Sequence, residues 1–388
     1  MAQAVIGIVG AGPVGMYTAL RLVQEGYRVR IWDARTGLRE HSRSIGIHPP
    51  AWLLLERAGL GAALRARARP IHEGQAWWNG RLVGRLDMTG LHGTLATLEQ
   101  HRTEALLQEA LMAADPDALR LDSPVRGLCD TGDGVLVDVE GARGDERVDL
   151  LIGCDGHRSL VRTRMGARWK GASYGIPYLM GDFPDDRWRH AAVIMLGRKG
   201  LVESFPLPGG SRRWVVRLAH GAGGGSGDGD GPRIRQTERL VRTVEQRSGI
   251  LLPADACLMV SSFGVERREA VPMARGRMVL LGDAAHVVSP IGGQGMNLGW
   301  LEAEALVRHL GHGAPLREGG QAQPRERTAG RQARRFRAAA RRAEFNMWMG
   351  APCAAGGAAA RYALLRTLML PVVRGLFLRR FTMHGLDA

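Results

Sequence analysis

The chain has 388 residues, of which 45% are hydrophobic and 23% are charged. These values are typical of a globular protein with two or three lobes, and they exclude a disordered or fibrous polymer. No run approaches the roughly 18 uncharged apolar residues of a membrane-spanning helix. The net charge is +15, and all but two of the 53 basic residues are arginine. We interpret this charge as a solvated basic surface, because no fold signature of a nucleic-acid-binding protein accompanies it.

The cysteines and the N-terminus indicate the cellular compartment. The four cysteines are far apart, with no Cys-x-x-Cys pair (Cys129, Cys154, Cys257 and Cys353). This spacing argues against a zinc site or a disulfide framework, and it fits a reducing compartment. The N-terminus has no basic segment before its first apolar run, so we expect no signal peptide and a cytoplasmic protein. No spacing of metal-ligating residues stands out, and we expect no metal site.

The first motif predicts a nucleotide-binding unit. Residues 4–9 read AVIGIV, as in a buried parallel strand, and a Gly-x-Gly-x-x-Gly turn, a helical pattern and a second strand at residues 28–32 follow. Gly10 permits the tight turn, Gly12 allows a pyrophosphate to approach the backbone, and Gly15 lets the helix pack close to the strand. The helix begins around Pro13 and Val14, where free N–H groups face a phosphate.

Asp33 completes this unit at the end of the second strand, 18 residues past Gly15. Its carboxylate is placed to accept hydrogen bonds from ribose hydroxyls, and it disfavours the 2′-phosphate of NADP at this site. The motif predicts a bound dinucleotide but leaves FAD and NAD open.

Two later motifs bear on this choice through the resemblance that they carry. Residues 149–162, DLLIGCDGHRSLVR, carry a strand into Cys154-Asp155-Gly156, with Ser159 and Arg162 beyond it. Residues 277–299, RMVLLGDAAHVVSPIGGQGMNLG, carry a strand into Gly282-Asp283, and then a turn over residues 290–295 that leads through Met296 and Asn297 into a helix.

With these three motifs in this order, the chain resembles the group A flavoprotein monooxygenases of the para-hydroxybenzoate hydroxylase type. The resemblance covers residues 4–310. It extends to Arg43-Ser44-Ile45-Gly46-Ile47 after the second strand, and to Arg102 near the start of the following helix.

The resemblance implies that the cofactor is FAD and assigns its contacts. Asp283 would bind a ribityl hydroxyl, and Arg43 and Arg102 would pair with the pyrophosphate or hold its neighbouring chain. The remaining assignments are to the flavin ring and its surroundings. Pro290 and the backbone of Gly293, Gly295, Met296 and Asn297 would lie at the ring. We expect Asp155 to brace loops beside the ligand, with direct contact as the alternative. We expect His286 to pack behind the Gly-Asp turn, with a role as a base as the alternative.

The resemblance also implies the chemistry. Hydride from transiently bound NADH or NADPH would reduce FAD, and O₂ would form a C4a-hydroperoxide. This species would hydroxylate or epoxidise an organic substrate of the aromatic, polyketide or other natural-product type, with no catalytic side chain assigned. Two flavoenzyme alternatives stay open: an FAD-dependent reductase of isoprenoid chains, and a flavin-dependent halogenase, whose Trp-x-Trp-x-Ile motif is absent. From another class, a nucleic-acid-binding protein is the remaining alternative.

The expected fold is α/β, with a Rossmann-like FAD-binding domain (residues 1–70, 99–168 and 265–315), an interleaved mixed β-sheet substrate domain (71–98 and 169–264) and a C-terminal helical tail (316–388). Five aromatic residues of the substrate domain are candidates for a pocket lining: Trp77, Trp78, Trp188, Phe205 and Trp214. The tail could dock on the FAD domain or lie at a membrane surface, and Pro371 favours docking because it interrupts a continuous surface helix.

Overall fold

The computed structural model describes residues 3–38, 44–219, 230–311 and 322–386. In chain order its strands are β1 (Val5–Val9), β2 (Arg28–Trp32), β3 (Gly46–Ile47), β4 (Arg69–Pro70), β5 (Glu73–Trp78), β6 (Arg81–Asp87), β7 (Ala96–Thr97), β8 (Leu119–Arg120), β9 (Val125–Asp130), β10 (Val135–Val139), β11 (Glu146–Val148), β12 (Leu150–Gly153), β13 (Arg168–Pro184), β14 (Ala191–Leu196), β15 (Val202–Pro206), β16 (Ser211–Arg217), β17 (Met259–Val271), β18 (Ala274–Arg275), β19 (Met278–Leu280) and β20 (His286–Val287).

The α-helices are α1 (Pro13–Gln24), α2 (Pro49–Leu55), α3 (Gly61–Arg67), α4 (Gln100–Ala114), α5 (Leu160–Arg164), α6 (Asp230–Ser248), α7 (Gln294–Leu310), α8 (Ala322–Met349), α9 (Ala355–Leu368) and α10 (Pro371–Phe381). A π-helical turn, Glu56–Leu60, joins α2 to α3, and Ala254–Ala256 and Gly282–Ala284 form 3₁₀ turns.

The first sheet has the strand order β18-β19-β12-β1-β2-β8. β1 pairs in parallel with β2 and β12, and only the edge pair β18–β19 is antiparallel among the described ladders of this sheet. Ile6 and Ile8 of β1 are fully buried, as expected for a strand covered on both faces. They share one apolar core with Met16 of α1 and Leu298 of α7, so both helices are packed on this sheet.

The second sheet is mixed, with the strand order β20-β17-β13-β16-β15-β14-β5-β6. Its ladders are antiparallel except for β14 with β5. Alternation along each strand divides its side chains between two faces. On β16, Trp214 packs in a core with Leu240 of α6, whereas the adjacent Arg213 and Val215 face a large cleft. The predicted α/β class with a Rossmann-like unit and an interleaved mixed sheet is therefore confirmed.

The predicted segment 71–98 supplies β5 and β6 to the mixed sheet. The expected boundary at residue 265 falls inside β17, which runs without a break from Met259 to Val271. The long strands β13 and β17 pair along most of their length and continue from one region into the other.

The C-terminal helices pack on both regions. Phe336 and Ala339 of α8 belong to the core shared with α7, and Tyr362 of α9 lies 5.9 Å from the ring of Trp78. At the end of α10, Phe381 reaches the cleft. Within the described part of the chain, no helix is both long and apolar enough to span a bilayer.

Candidate functional site

The cleft between the two sheets has a volume of about 1620 Å³. Typical small-molecule pockets measure roughly 300–1,000 Å³, so this cleft has room for a dinucleotide and a second molecule. It opens at the carboxyl ends of β1, β2 and β12, where ligands bind in open α/β sheets. Most of the residues predicted from sequence line it: Gly10, Gly12, Pro13, Val14, Asp33, Asp155, Asp283, Pro290, Gly293, Gly295 and Met296.

The three motif glycines each meet a different steric requirement. Gly10 has φ = +101°, and a Cβ there would lie 2.5 Å from the carbonyl oxygen of Cys154. A Cβ on Gly15 would lie 1.9 Å from the carbonyl oxygen of Gly10, so only glycine lets α1 approach the turn. A Cβ on Gly12 would meet no described atom within 4 Å. Gly12 therefore faces open cleft, and its lack of a side chain leaves space for a ligand.

The carboxylate of Asp33 is already held by donors at the end of β2. Oδ2 accepts hydrogen bonds from the N–H of Ala11 at 2.6 Å and from Nη2 of Arg35 at 3.0 Å, and Oδ1 accepts two more from the backbone and Nε of Arg35. Burial alone would raise the pKa of Asp33, but the Arg35 bonds and charge hold it below its ordinary value. Arg35 also contacts Glu104, at 3.3 Å. A ribose hydroxyl would have to share or replace an Arg35 contact to reach this carboxylate.

The carboxylate of Asp283, unlike that of Asp33, is not held by donors from the described residues. None of the described residues donates a hydrogen bond to its carboxylate, which opens into the cleft from a turn where Gly282 has φ = +57°. Partial loss of water raises the pKa of Asp283. An open carboxylate without a donor is suited to bind a ligand hydroxyl group.

His286 lies behind this turn rather than in the cleft. It is 1% exposed, its ring stacks on Phe336 with centroids 4.8 Å apart, and its Nε2 lies 2.5 Å from Oε1 of Glu302. Gln332 donates to the other oxygen of Glu302 at 3.2 Å. This buried network holds α7 against the Gly-Asp turn, where the sequence predicted a packed histidine.

Helix α7 directs its N-terminus into the cleft. Its N-cap, Gly293, is left-handed with φ = +65°, and the Gly293 N–H donates to the carbonyl of Pro290 at 2.8 Å. Gly295 and Met296 line the cleft in the first turn, where N–H groups have no acceptor within the helix. The free N–H groups and the helix dipole together favour a negatively charged partner at this point.

His48 lies beside this helix end and is 4% exposed. Its Nε2 donates to the carbonyl of Gly292 at 2.9 Å, and burial lowers its pKa to about 4. The imidazole is therefore neutral at ordinary pH.

The side chains of two other predicted residues are held by hydrogen bonds to protein groups. Asp155 accepts from the hydroxyl of Ser159 and the N–H groups of Leu160 and Val161, which caps α5. The amide of Asn297 is fully buried and bridges α7 to β3, accepting from His48 N–H and donating to the carbonyls of Gly46 and Gly293. The Asn297 side chain therefore bonds to protein groups rather than to a ligand.

Arg102 does not belong to the cleft lining. Its side chain is 48% exposed and lies 3.6 Å from Glu99, whereas its helix neighbours Gln100, His101 and Glu104 face the cleft. The rotation of α4 thus turns the predicted arginine away from the site. Arg43 lies outside the described residues.

The aromatic lining predicted from sequence is correct only for Phe205. Trp77, Trp188 and Trp214 pack against α6 on the far face of the mixed sheet, and Trp78 packs against Tyr362. The positions that strand alternation does turn toward the cleft include Met180, Val215 and Phe263.

Two charged residues on the cleft face of the mixed sheet were missed by sequence reasoning. Glu203 on β15 and Arg213 on β16 both line the cleft, and they are 7% and 3% exposed. Arg213 pairs with Asp182 through contacts of 2.7 and 2.8 Å. In the sequence, each of these two residues is a charged residue within a short apolar strand. Only the strand register shows which face of the sheet the charged side chain occupies.

A family model described as an FAD binding domain matches residues 2–341. The chain belongs to the group A FAD-dependent monooxygenase family. It is 32% identical over 326 residues to 6-methylpretetramide 4-monooxygenase of Streptomyces rimosus, which covers 78% of this chain and 55% of that protein. It is 27% identical to para-nitrophenol 4-monooxygenase of Pseudomonas sp. (strain WBC-3), covering 78% of this chain and 76% of that protein. The chain therefore spans little more than half of the first of these relatives.

A solved structure shares the fold over nearly the whole chain. It is that of p-nitrophenol 4-monooxygenase from Pseudomonas putida DLL-E4, with a TM-score of 0.84, 23% identity and coverage of 98% of this chain and 99% of that chain.

The residues of the cleft fit FAD, the cofactor of this family. The open backbone at Gly12 would admit the pyrophosphate, the unpaired carboxylate of Asp283 would accept from the ribityl chain, and the first turn of α7 offers N–H groups to the electron-rich edge of the ring. Among the described residues, no group of three or more His, Cys, Asp or Glu side chains is arranged to hold a metal ion.

Proposed function

We propose that the protein is an FAD-dependent monooxygenase that uses NADH or NADPH and O₂ to hydroxylate or epoxidise an aromatic or polyketide substrate. The observation that carries this proposal is the continuity of the cleft. The same cavity contains the dinucleotide-binding turn at Gly12 and an apolar chamber on the mixed sheet at Met180, Phe205 and Phe263. The names of the two relatives, which refer to a pretetramide and to para-nitrophenol, support an aromatic or polyketide substrate.

The bound FAD would supply the redox chemistry, accepting hydride from the nicotinamide and activating O₂. We assign Asp33 to the ribose and Asp283 to the ribityl chain. The N–H groups of Gly295 and Met296 would stabilise negative charge at the N1–C2=O edge of the ring, where the α7 dipole adds to their effect. The apolar side chains of the chamber would exclude water and pack against the flat faces of the substrate.

We also retain the division into an FAD-binding region and a substrate region, with the substrate bound on the cleft face of the mixed sheet. A cytoplasmic location stays a prediction that rests on the isolated cysteines.

Asp283→Ala should weaken FAD binding by roughly ten- to hundredfold. It removes a hydrogen bond to a charged group worth about 1.5–3 kcal/mol, and about 1.4 kcal/mol corresponds to tenfold in affinity. Titration of the apoprotein with FAD, followed by flavin fluorescence, measures the effect. Asp186→Ala removes an exposed carboxylate elsewhere and should bind FAD like the unchanged chain. Equal dissociation constants for both variants would remove Asp283 from the FAD site.

The proposed activity is tested by following NADH and NADPH oxidation together with oxygen uptake. Hydroxylated aromatic compounds should accelerate both, with one O₂ consumed for each nicotinamide oxidised. Turnover that continues at full rate without oxygen would contradict the proposal and favour a reductase.

A further inference from the structure

Glu203 is a buried carboxyl group that faces the apolar end of the cleft. It lies in β15, opposite Val215 of β16, and both side chains line the cavity together with Phe205 two residues further along. The residue is 7% exposed, and it has no hydrogen bond or ion pair with any residue that the structure describes. Burying a carboxylate without a partner is costly, so the group must stay protonated or find a donor.

The cations nearest to Glu203 along the sheet are engaged by other groups. Arg213, a diagonal neighbour on the same face of β16, forms a two-point ion pair with Asp182. Arg217 donates to the carbonyl of Met347 at 2.9 Å. Tyr178 of β13 is close enough for the charge of Glu203, together with burial, to raise the tyrosine pKa. Burial without a compensating contact raises the pKa of Glu203 itself to about 7.

The walls around Glu203 suit a flat apolar ligand. Met180, Val215 and Phe263 line the same chamber, and such side chains accept aromatic rings but offer them no hydrogen bonds. A ligand held here would meet the open carboxyl group of Glu203. A ligand group that lets Glu203 ionise in this place must be a donor.

We propose that Glu203 is the subsite that binds a hydroxyl group of the substrate, so that the chamber selects hydroxylated aromatic compounds over their methyl ethers. This inference rests on the proposed function and identifies the group that its substrate carries. A hydroxyl is favoured over an ammonium group because Arg217, which bonds to the neutral carbonyl of Met347, lies on the same face of β16 and would repel a cation. The subsite fixes the orientation of the ring in the chamber, and Glu203 acts as a positioning residue.

Binding of a hydroxylated ligand to Glu203 should depend on pH. An ionised carboxylate is a stronger acceptor than a protonated one, so a hydroxylated ligand should bind more tightly as the pH rises through about 7. Among the described residues, the charged and titratable groups on the face of Glu203 are Tyr178 and Asp182 from β13 and Arg213 and Arg217 from β16. Arg247 of α6 is close enough to Tyr178 to act on its charge, and His48 lines the same cleft. His48, with a pKa of about 4, stays neutral over this range, and the tyrosine pKa is raised above it.

The test uses the FAD-loaded full chain with two pairs of probes: 2-naphthol with 2-methoxynaphthalene, and 9-phenanthrol with 9-methoxyphenanthrene. A naphthylmethylamine serves as the cationic probe. Dissociation constants come from changes in flavin absorbance, without turnover. Glu203→Leu should weaken binding of the hydroxylated probes by roughly ten- to hundredfold and leave the ethers unchanged. Glu203→Gln should abolish the dependence of binding on pH between 6 and 8.

Glu245→Gln, which removes an exposed carboxylate on α6, should behave like the unchanged chain and is the matched control. The inference is overturned if Glu203→Leu keeps the preference for hydroxyl over ether, if no hydroxylated probe binds, or if the amine binds best. Failure of the proposed function would differ from this result, because it would appear as missing oxygen transfer while the binding preference persists.

Discussion

Gly12→Val should yield a folded protein that no longer binds FAD. The valine side chain would extend into the cleft at the point where the backbone must approach the pyrophosphate, and no described atom lies within 4 Å of its Cβ position. The fold should therefore tolerate the change while the ligand does not. We expect at least a hundredfold loss of FAD affinity, measured by titration of the apoprotein, with a far-ultraviolet dichroism spectrum like that of the unchanged chain.

Gly330→Val is the matched control for this substitution. Gly330 is an exposed residue of α8, and its Cβ position also meets no described atom. The control should be yellow and should bind FAD normally. Full FAD binding by Gly12→Val would show that the turn does not hold the pyrophosphate, whereas unfolding of this variant would contradict the free space seen around Gly12.

Glu203→Gln should change how stability depends on pH. The pKa of Glu203 is about 7 in the folded chain, against an ordinary 4.5. The raised pKa means that the folded state binds the proton more tightly than the unfolded state. The stability associated with this proton is fully present below about pH 4.5 and is lost as the pH rises through about 7. The loss amounts to about 3 kcal/mol, which the glutamine variant should not suffer.

Urea unfolding of the FAD-loaded chain at pH 5 and pH 8 measures this effect. The buried amide of the glutamine has a cost of its own, but that cost does not vary with pH. The informative quantity is therefore the change with pH in the difference between variant and unchanged chain. Glu245→Gln should show no such change. A Glu203→Gln variant whose difference in unfolding free energy is the same at both pH values would place an ionised, well-solvated carboxylate at position 203.

The parts of the site that could be predicted from sequence are those governed by local backbone geometry. Gly10 is required by its positive φ and Gly15 by its contact with Gly10, and both follow directly from a strand, turn and helix in succession. Asp283 likewise lies in the cleft because it belongs to the short turn that follows a strand of the first sheet. Such positions are determined within about twenty residues of chain, so one sequence is enough to place them.

The residues that the sequence did not place correctly are those whose position depends on helix rotation or strand register. Arg102 belongs to the correct helix, but α4 presents Gln100 and Glu104 to the cleft instead. Trp214 and Arg213 are adjacent in sequence, yet pairing of β16 with β13 and β15 sends the tryptophan to the α6 face and the arginine to the cleft. Glu203 was missed for the same reason. Register is determined by partners distant in sequence, and a shift of one residue exchanges the two faces.

We propose that this chain transfers an oxygen atom from O₂ to an organic substrate. Turnover under ¹⁸O₂ with NADH or NADPH and a hydroxylated aromatic substrate, followed by mass spectrometry of the product, tests it most directly. We expect a product that is heavier by one ¹⁸O atom, with no label gained from H₂¹⁸O in the converse experiment. A product that forms without ¹⁸O, or that forms equally well in the absence of oxygen, would contradict it.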